Sequence, residues 1–308
     1  MQWEALVDPI RADNTSGAAE LARTAAMAVL GWIDQTASSP LPDWRAQLSA
    51  FASALCMAQP AMAPLFNLAN TILLRLESAA AQEEVQPPVR RAVQAFLEQG
   101  AHANRRLALE TLGLLPRGAR ILTFSYSSSV LAVLLEAHAR QRLSVVFCTE
   151  SRPMLEGQRF TRELTQAGIA VEFGVDAAIA TFTKRAHMAL VGADSITVQG
   201  IVNKLGTTSL ALACRHVGIP CYVVGDRHKW SPAAAATPEF NQLKPEAEVW
   251  RDPPAGVSIR NAYFECTPME LFRGIIGEDG LRGPEELLRQ LVDMPIARAL
   301  RCGLRGVQ

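Results

Sequence analysis

"RILTFSYSSSVLAVLLEAHARQRLSVVFCT", Arg120 to Thr149, decides the fold. Arg120 to Tyr126 is a short β-rich run. "SVLAVLLEAHARQ" follows at helical spacing, and Leu143 to Thr149 is a second β-rich run. Two strands joined by a helix cannot pair as a tight hairpin. They lie parallel, with the helix as the crossover. The unit repeats downstream, with strands predicted at Ala170 to Val175, Met188 to Gly192 and Pro220 to Gly225. Between them "MLEGQRFTRELTQAG", "AAIATFTKRA" and "GTTSLALACRHVG" read as helices. The fold class is therefore α/β, with a parallel sheet covered by helices on both faces.

Ligands of such sheets bind beyond the carboxyl ends of the strands. That rule selects Ser125 to Ser129, Glu150 to Pro153, Asp176, Asp194 to Lys204, and Asp226 to Lys229. No Gly-x-Gly-x-x-Gly follows the first strand and there is no Walker A, so a dinucleotide oxidoreductase or P-loop NTPase lacks its fingerprint.

Upstream of "LPRGA" the pattern is helical. "SGAAELARTAAMAVLGWI", "DWRAQLSAFASALCMA", "PLFNLANTILLRLES" and "PPVRRAVQAFLEQGAHANRRLALETLGLL" repeat apolar residues at helical spacing. Thr15 or Ser16 is available as an N-cap for the first of these. Ser39 to Pro42 and Gln86 to Pro88 read as loops. A chain of 308 residues exceeds the usual single core. The expected division is a helical domain, 1–116, and a sheet domain, 117–308.

Thirty basic residues balance thirty acidic ones. This gives no global attraction for nucleic acid or an anionic membrane, and neither is expected as a partner. The six cysteines form no Cys-x-x-Cys pair, which argues against a zinc site. No metal and no cofactor are expected. The start "MQWEALVDPIRADN" lacks a signal-peptide pattern, and the apolar runs fall short of the roughly 20 residues a membrane span takes. A cytoplasmic location is the expectation.

"GADSITVQGIVNKLGT", Gly192 to Thr207, carries the strongest functional signal. Asp194 follows a strand that should be fully buried, so its carboxylate must be hydrogen-bonded, paired or raised in pKa. A raised pKa suits proton transfer near neutral pH. Lys204 offers a cation for a phosphate or oxyanion, and Asn203 offers an amide to orient a hydroxyl. The plain alternative is an Asp capping a turn and a Lys in solvent.

Two further loops carry candidates. Ser127, Ser128 and Ser129 open a helix, where hydroxyls and free N–H groups favour phosphate, although a simple N-cap explains them too. Arg152 can grip a phosphate with two hydrogen bonds, or merely pair with Glu150 at the surface. Of the histidines, His102, His138, His187 and His216 read as structural or surface residues. His228 is better placed, beyond the last predicted strand.

"ILTFSYS", "TESRPMLEG", "VGADSITVQGIVNKLGT", "GIPCYVVGDRHKW" and "FECTPMELFRGIIGEDG" appear in this order across the last two thirds of the chain. In them the sequence resembles the family of ribose-1,5-bisphosphate isomerase, methylthioribose-1-phosphate isomerase and the alpha, beta and delta regulatory subunits of translation initiation factor 2B. The resemblance implies an N-terminal helical domain, a Rossmann-like second domain and a homodimer through the latter. It also implies an aldose 1-phosphate opened and converted to a ketose phosphate, with an aspartate and a cysteine sharing the proton transfers. The aspartate falls on Asp194 and the family's Asn-Lys pair on Asn203 and Lys204. Arg152, Ser127 to Ser129 and Lys229 would face phosphate.

The sequence departs from the pattern in three places. In "IRADNTSGAAELAR" only Arg11 and Ala12 resemble the isomerases' Arg-Gly-Ala phosphate clamp. In "AQPAMAPL" Gln59 replaces an arginine. Ser125 occupies the place of the cysteine, and a hydroxyl gives up its proton far less readily than a thiol, whose pKa is about 8.5 when free. Cys148 lies on the neighbouring strand.

Two functions follow. The first is a sugar-phosphate isomerase, an intramolecular oxidoreductase, with Asp194 as acid/base and Ser125 or a water in place of the thiol. The second is a non-catalytic sensor or assembly protein that binds a phosphorylated sugar or a nucleotide in the same pocket.

Overall fold

A computed structural model describes residues 2–79, 85–235 and 240–301. Cys302 lies outside them. Five helices come first: α1 (Glu4–Ala12), α2 (Ala18–Gln35), α3 (Leu41–Ala58), α4 (Ala63–Ser78) and α5 (Gln86–Leu112). Trp32, Trp44, Phe51 and Leu65 fill the core between them. Each such side chain contributes on the order of 1.5–3 kcal/mol by leaving water.

Two local segments differ from expectation. Gln86 to Pro88 is the first turn of α5, not a loop, because a proline tolerates that turn, where the missing N–H has no partner to lose. Neither Thr15 nor Ser16 caps α2. Gly17 does so, without a side-chain bond. Asp13 instead accepts bonds from Thr15 N and Ser16 N and folds them into a turn.

After α5 the chain alternates between strand and helix. In order come β1 (Ala119–Leu122), α6 (Ser128–Ala139), β2 (Leu143–Thr149), α7 (Glu156–Gln166), β3 (Val171–Gly174), α8 (Ile179–Thr183) and β4 (Met188–Val191). β5 (Ser195–Thr197), β6 (Gly200–Lys204), α9 (Thr207–Val217) and β7 (Cys221–Val224) continue the chain. β8 (Phe264–Thr267), β9 (Gly274–Gly277), β10 (Gly280–Arg282) and α10 (Pro284–Asp293) complete it. The main sheet has the order β10-β9-β7-β4-β1-β2-β3 and is parallel except for β10. No helix among the described residues is long and apolar enough to cross a membrane.

The strand order reverses at β1, which has β2 on one side and β4 on the other. The loops after β1 and β4 therefore diverge there and leave a crevice. They carry Ser125 and Asp194.

The segment Asp194 to Lys204 is not a loop. It is a hairpin, β5–β6, completed by β8 as a second, antiparallel sheet. Thr197 Oγ1 fastens its turn, accepting from Gln199 N and Gly200 N and donating to Gly200 O. Pro220 to Gly225 is likewise not the last strand, since β8, β9 and β10 follow it.

α7 runs against the end of β2 at Gly157. A Cβ there would collide with the backbone oxygen of Thr149. Gly157→Ala should therefore lower the thermal midpoint, with a loss of about 3 kcal/mol or more, since neither backbone can yield. An unchanged midpoint in a calorimetric scan would show that α7 is free to shift.

Candidate functional site

The crevice closes into a small cavity of about 60 Å³ between the sheet and the helical region. Ser125, Asp194, Asn203 and Lys204 line it on the sheet side, and the turn Asp13 to Gly17 with Gln59 and Met62 on the helical side. Glu156, Lys244, Tyr263 and Phe264 complete the wall. Gly17 and Tyr126 also border a neighbouring cavity of about 280 Å³, lined by Arg23, Phe96, Ser128 and His228 among others.

Asp194 is held from both sides through its backbone. Its N–H donates to Val202 O at 2.9 Å, and its carbonyl accepts from Ala63 N at 3.0 Å. Beside it Ser195 Oγ donates to Ala61 O at 2.7 Å, tying the hairpin to the start of α4. Gly192 lets this corner close, since a Cβ there would stand 2.5 Å from Ser127 Oγ. The Asp194 carboxylate has no hydrogen-bond partner among the described residues. Burial raises its pKa to about 6, and Glu156 adds to the rise, against the pull of Lys229 and Lys204.

Lys204 is 3 % exposed, and its Nζ donates to Glu156 Oε1 at 2.8 Å. The other Glu156 oxygen is buried without a partner. Lys229, 4 % exposed, has no hydrogen-bond partner for its ammonium among the described residues. Asn203 donates to Thr207 Oγ1 at 3.0 Å, and Thr207 in turn donates to Lys204 O at 2.7 Å. This relay fixes Asn203 and leaves its amide oxygen without a hydrogen-bond partner among the described residues.

Ser125 sits in a left-handed conformation, φ 64°, and its N–H donates to Ser151 Oγ at 2.9 Å. A left-handed residue other than glycine is uncommon and marks a position fixed by its surroundings. No base reaches its hydroxyl among the described residues. Cys148 does not stand in for a thiol here. It is buried under α6 and α7, and burial pushes its thiol up to about 12.

Several sequence-selected residues do not meet the cavity. Arg11 turns outward and pairs with Asp8 at 2.6 Å. Arg152 donates to the carbonyls of Glu248 and Val249 at 3.3 and 3.1 Å. It makes no ion pair with Glu150 among the described residues. Ser127 is the cap of α6, accepting from Val130 N at 3.3 Å. Ser129 is buried with its hydroxyl unpartnered, and Ser128 faces the larger cavity. His228 stacks on Phe96, with centroids 3.9 Å apart. Conversely Glu156, Lys244, Tyr263 and Asp13 line the cavity without having been selected. Glu156 and Asp13 lie within "TESRPMLEG" and "IRADNTSGAAELAR", whereas Lys244 and Tyr263 carry no local signal.

The fold is thus of the α/β class, with a buried lysine pair and, among the described residues, an unpartnered acid around its switch point. The chain belongs to the initiation factor 2 subunit family, whose model matches residues 14–284. It is 34% identical over 273 residues to the putative translation initiation factor eIF-2B subunit 2-like protein of Pyrococcus horikoshii, covering 88% of this chain and 93% of that one. It is 29% identical over 286 residues to the ribose 1,5-bisphosphate isomerase of Archaeoglobus fulgidus, covering 90% and 88%. The crystal structure of the translation initiation factor eIF-2B of Pyrococcus horikoshii superposes with a TM-score of 0.80 at 30% identity, covering 92% of this chain and 98% of that one.

Proposed function

We propose that the chain is a sugar-phosphate isomerase that converts an aldose 1-phosphate to a ketose phosphate, with Asp194 as its acid/base. The observation that carries this reading is the Asp194 carboxyl: unpartnered, lining a strand-end cavity beside buried lysines, with its pKa raised to about 6. Such a group exists in both protonation states near neutral pH, as proton transfer requires. The isomerase names borne by relatives support the reaction class.

The conversion needs a proton on the ring oxygen as its bond to C1 opens. It also needs loss of the proton on C2 and of the proton on the C2 hydroxyl, and delivery of one to C1, so the protons balance. In this reading Asp194 protonates the ring oxygen. Lys204 and Lys229 hold negative charge, and Asn203 orients a hydroxyl. Ser125 or a water stands where the C2 proton leaves. Helical domain 1–116 supplies the wall Asp13 to Gly17, and sheet domain 117–308 supplies the chemistry.

A thermal-shift screen of sugar phosphates, followed by turnover assays on the hits, tests this. A hit that is converted supports it. A panel in which nothing binds sinks it, and ligands that bind without conversion select the sensor reading. The proposal includes a cytoplasmic location and a homodimer through the sheet domain, the assembly that the family resemblance implies. Light scattering should give twice the monomer mass at micromolar concentration, and a monomer mass would remove the dimer.

A further inference from the structure

The charges around the small cavity are distributed unevenly. Lys204 is already paired with Glu156. Lys244 lines the same cavity and has no carboxylate partner among the described residues. Its ammonium stands 5.0 Å from the centre of the Tyr263 ring, and that of Lys204 stands 5.2 Å from it. The segment that carries Lys244 is fastened in place. Tyr263 Oη donates to Glu248 at 2.7 Å, Asn261 Nδ2 donates to Glu248 Oε2 at 2.7 Å, and Lys244 N donates to Asn261 O at 2.9 Å. Among the described residues, Lys244 is thus the lining cation without a carboxylate partner, and it sits on a braced segment.

The opposite wall presents no cation among the described residues. Asp13 stands there as a carboxylate: burial opposes its charge, but hydrogen bonds from Ser16 and Thr15 outweigh it and lower its pKa to about 2. Gln59 Nε2 is spent on the carbonyls of Ile10, Arg11 and Asp13. Arg23 borders only the neighbouring cavity. An anion on this wall would meet a fixed like charge and no donor cation.

We propose that the cavity selects a singly phosphorylated ligand. Its phosphate lies at the Lys204–Lys244 end, and its uncharged hydroxyl end lies along Asp13 to Gly17. This rests on the sugar-phosphate reading above and names the substrate class within it. Lys244 is then a substrate-binding residue, and Asp13 rejects a second phosphate.

The test is calorimetric titration with ribose 1-phosphate, ribose 5-phosphate and ribose 1,5-bisphosphate. Wild type should bind one of the monophosphates about tenfold or more tightly than the bisphosphate, as unpaired like charges disfavour the wrong ligand. Lys244→Ala should weaken that monophosphate by about tenfold or more, the worth of one charged hydrogen bond, and Lys244→Arg should keep most of the affinity. Asp13→Asn, which keeps an acceptor for Thr15 and Ser16, should narrow the gap by improving the bisphosphate. A bisphosphate bound as tightly as the monophosphates, or a Lys244→Ala protein that binds like wild type, overturns this inference and leaves the isomerase reading standing. Failure of all three to bind overturns both.

Discussion

Asp194→Asn should keep the fold and lower turnover of the responding sugar phosphate by roughly 10²–10⁴-fold, the usual contribution of a general acid–base group. Asparagine matches the carboxyl in shape, and the residue is fixed through backbone bonds to Val202 and Ala63 that it retains. The same variant should reveal a stability signature. The Asp194 pKa is raised from 3.8 to about 6, so the folded protein holds its proton more tightly than the unfolded chain does. The stability this contributes is fully present below about pH 4 and is lost as pH rises through about 6. Above that pH, Asp194→Asn should be more stable than wild type, by at most about 3 kcal/mol for a shift from 3.8 to about 6. Thermal midpoints at pH 4 and pH 8 check this. A variant less stable at both would make Asp194 a fold-holding residue, and one with full turnover would remove it from catalysis.

The lower turnover and the gain at high pH have one cause. A carboxylate kept without partners costs stability when ionised, and that cost is what brings its pKa into the working range. A capped or paired Asp would show neither effect.

The parts of the fold legible in the sequence are those whose signal is local. β1, β2, β4 and β7 are apolar runs next to helices with a clear period, and their burial in the sheet matches that reading. β5, β6 and β8 do not read as strands because they are short and polar: Asn203 and Lys204 line the cavity, Ser195 bonds to Ala61 O, and Glu265 accepts from Gly206 N and Thr208 N. β9 and β10 are four and three residues long and rich in glycine, which reads as turn. The site divides the same way. Ser125 and Asp194 reach the cavity by strand-end position, and the β5–β6 hairpin brings Asn203 and Lys204 back to it. Arg11 is suggested by resemblance to a phosphate clamp and Arg152 by its charge at a strand end, but their directions are set by Asp8 and by the carbonyls of Glu248 and Val249. Lys244 arrives through contacts between distant segments, and no local pattern announces such contacts.

Ser125→Cys is expected to create or raise isomerase turnover. The position faces the same cavity as Asp194, and its left-handed backbone and bond to Ser151 Oγ involve only main-chain atoms of residue 125, so cysteine can occupy it as serine does. What changes is the acid. A thiol with a free pKa of about 8.5, lowered by neighbouring ammoniums, exchanges a proton near neutral pH. The serine hydroxyl needs a base beside it, and none reaches it among the described residues. Nor does Cys148 supply the thiol from next door, since burial holds it up to about 12. Ser125→Ala separates the outcomes. If wild type turns over slowly, Ser125→Ala retains that rate and Ser125→Cys exceeds it, a water performs the step and the thiol improves on it. If Ser125→Ala abolishes wild-type turnover while binding persists, the serine itself carries the proton. If neither wild type nor Ser125→Cys converts any ligand that binds, the pocket is a sensor, and Asp194 orients the ligand rather than protonating it.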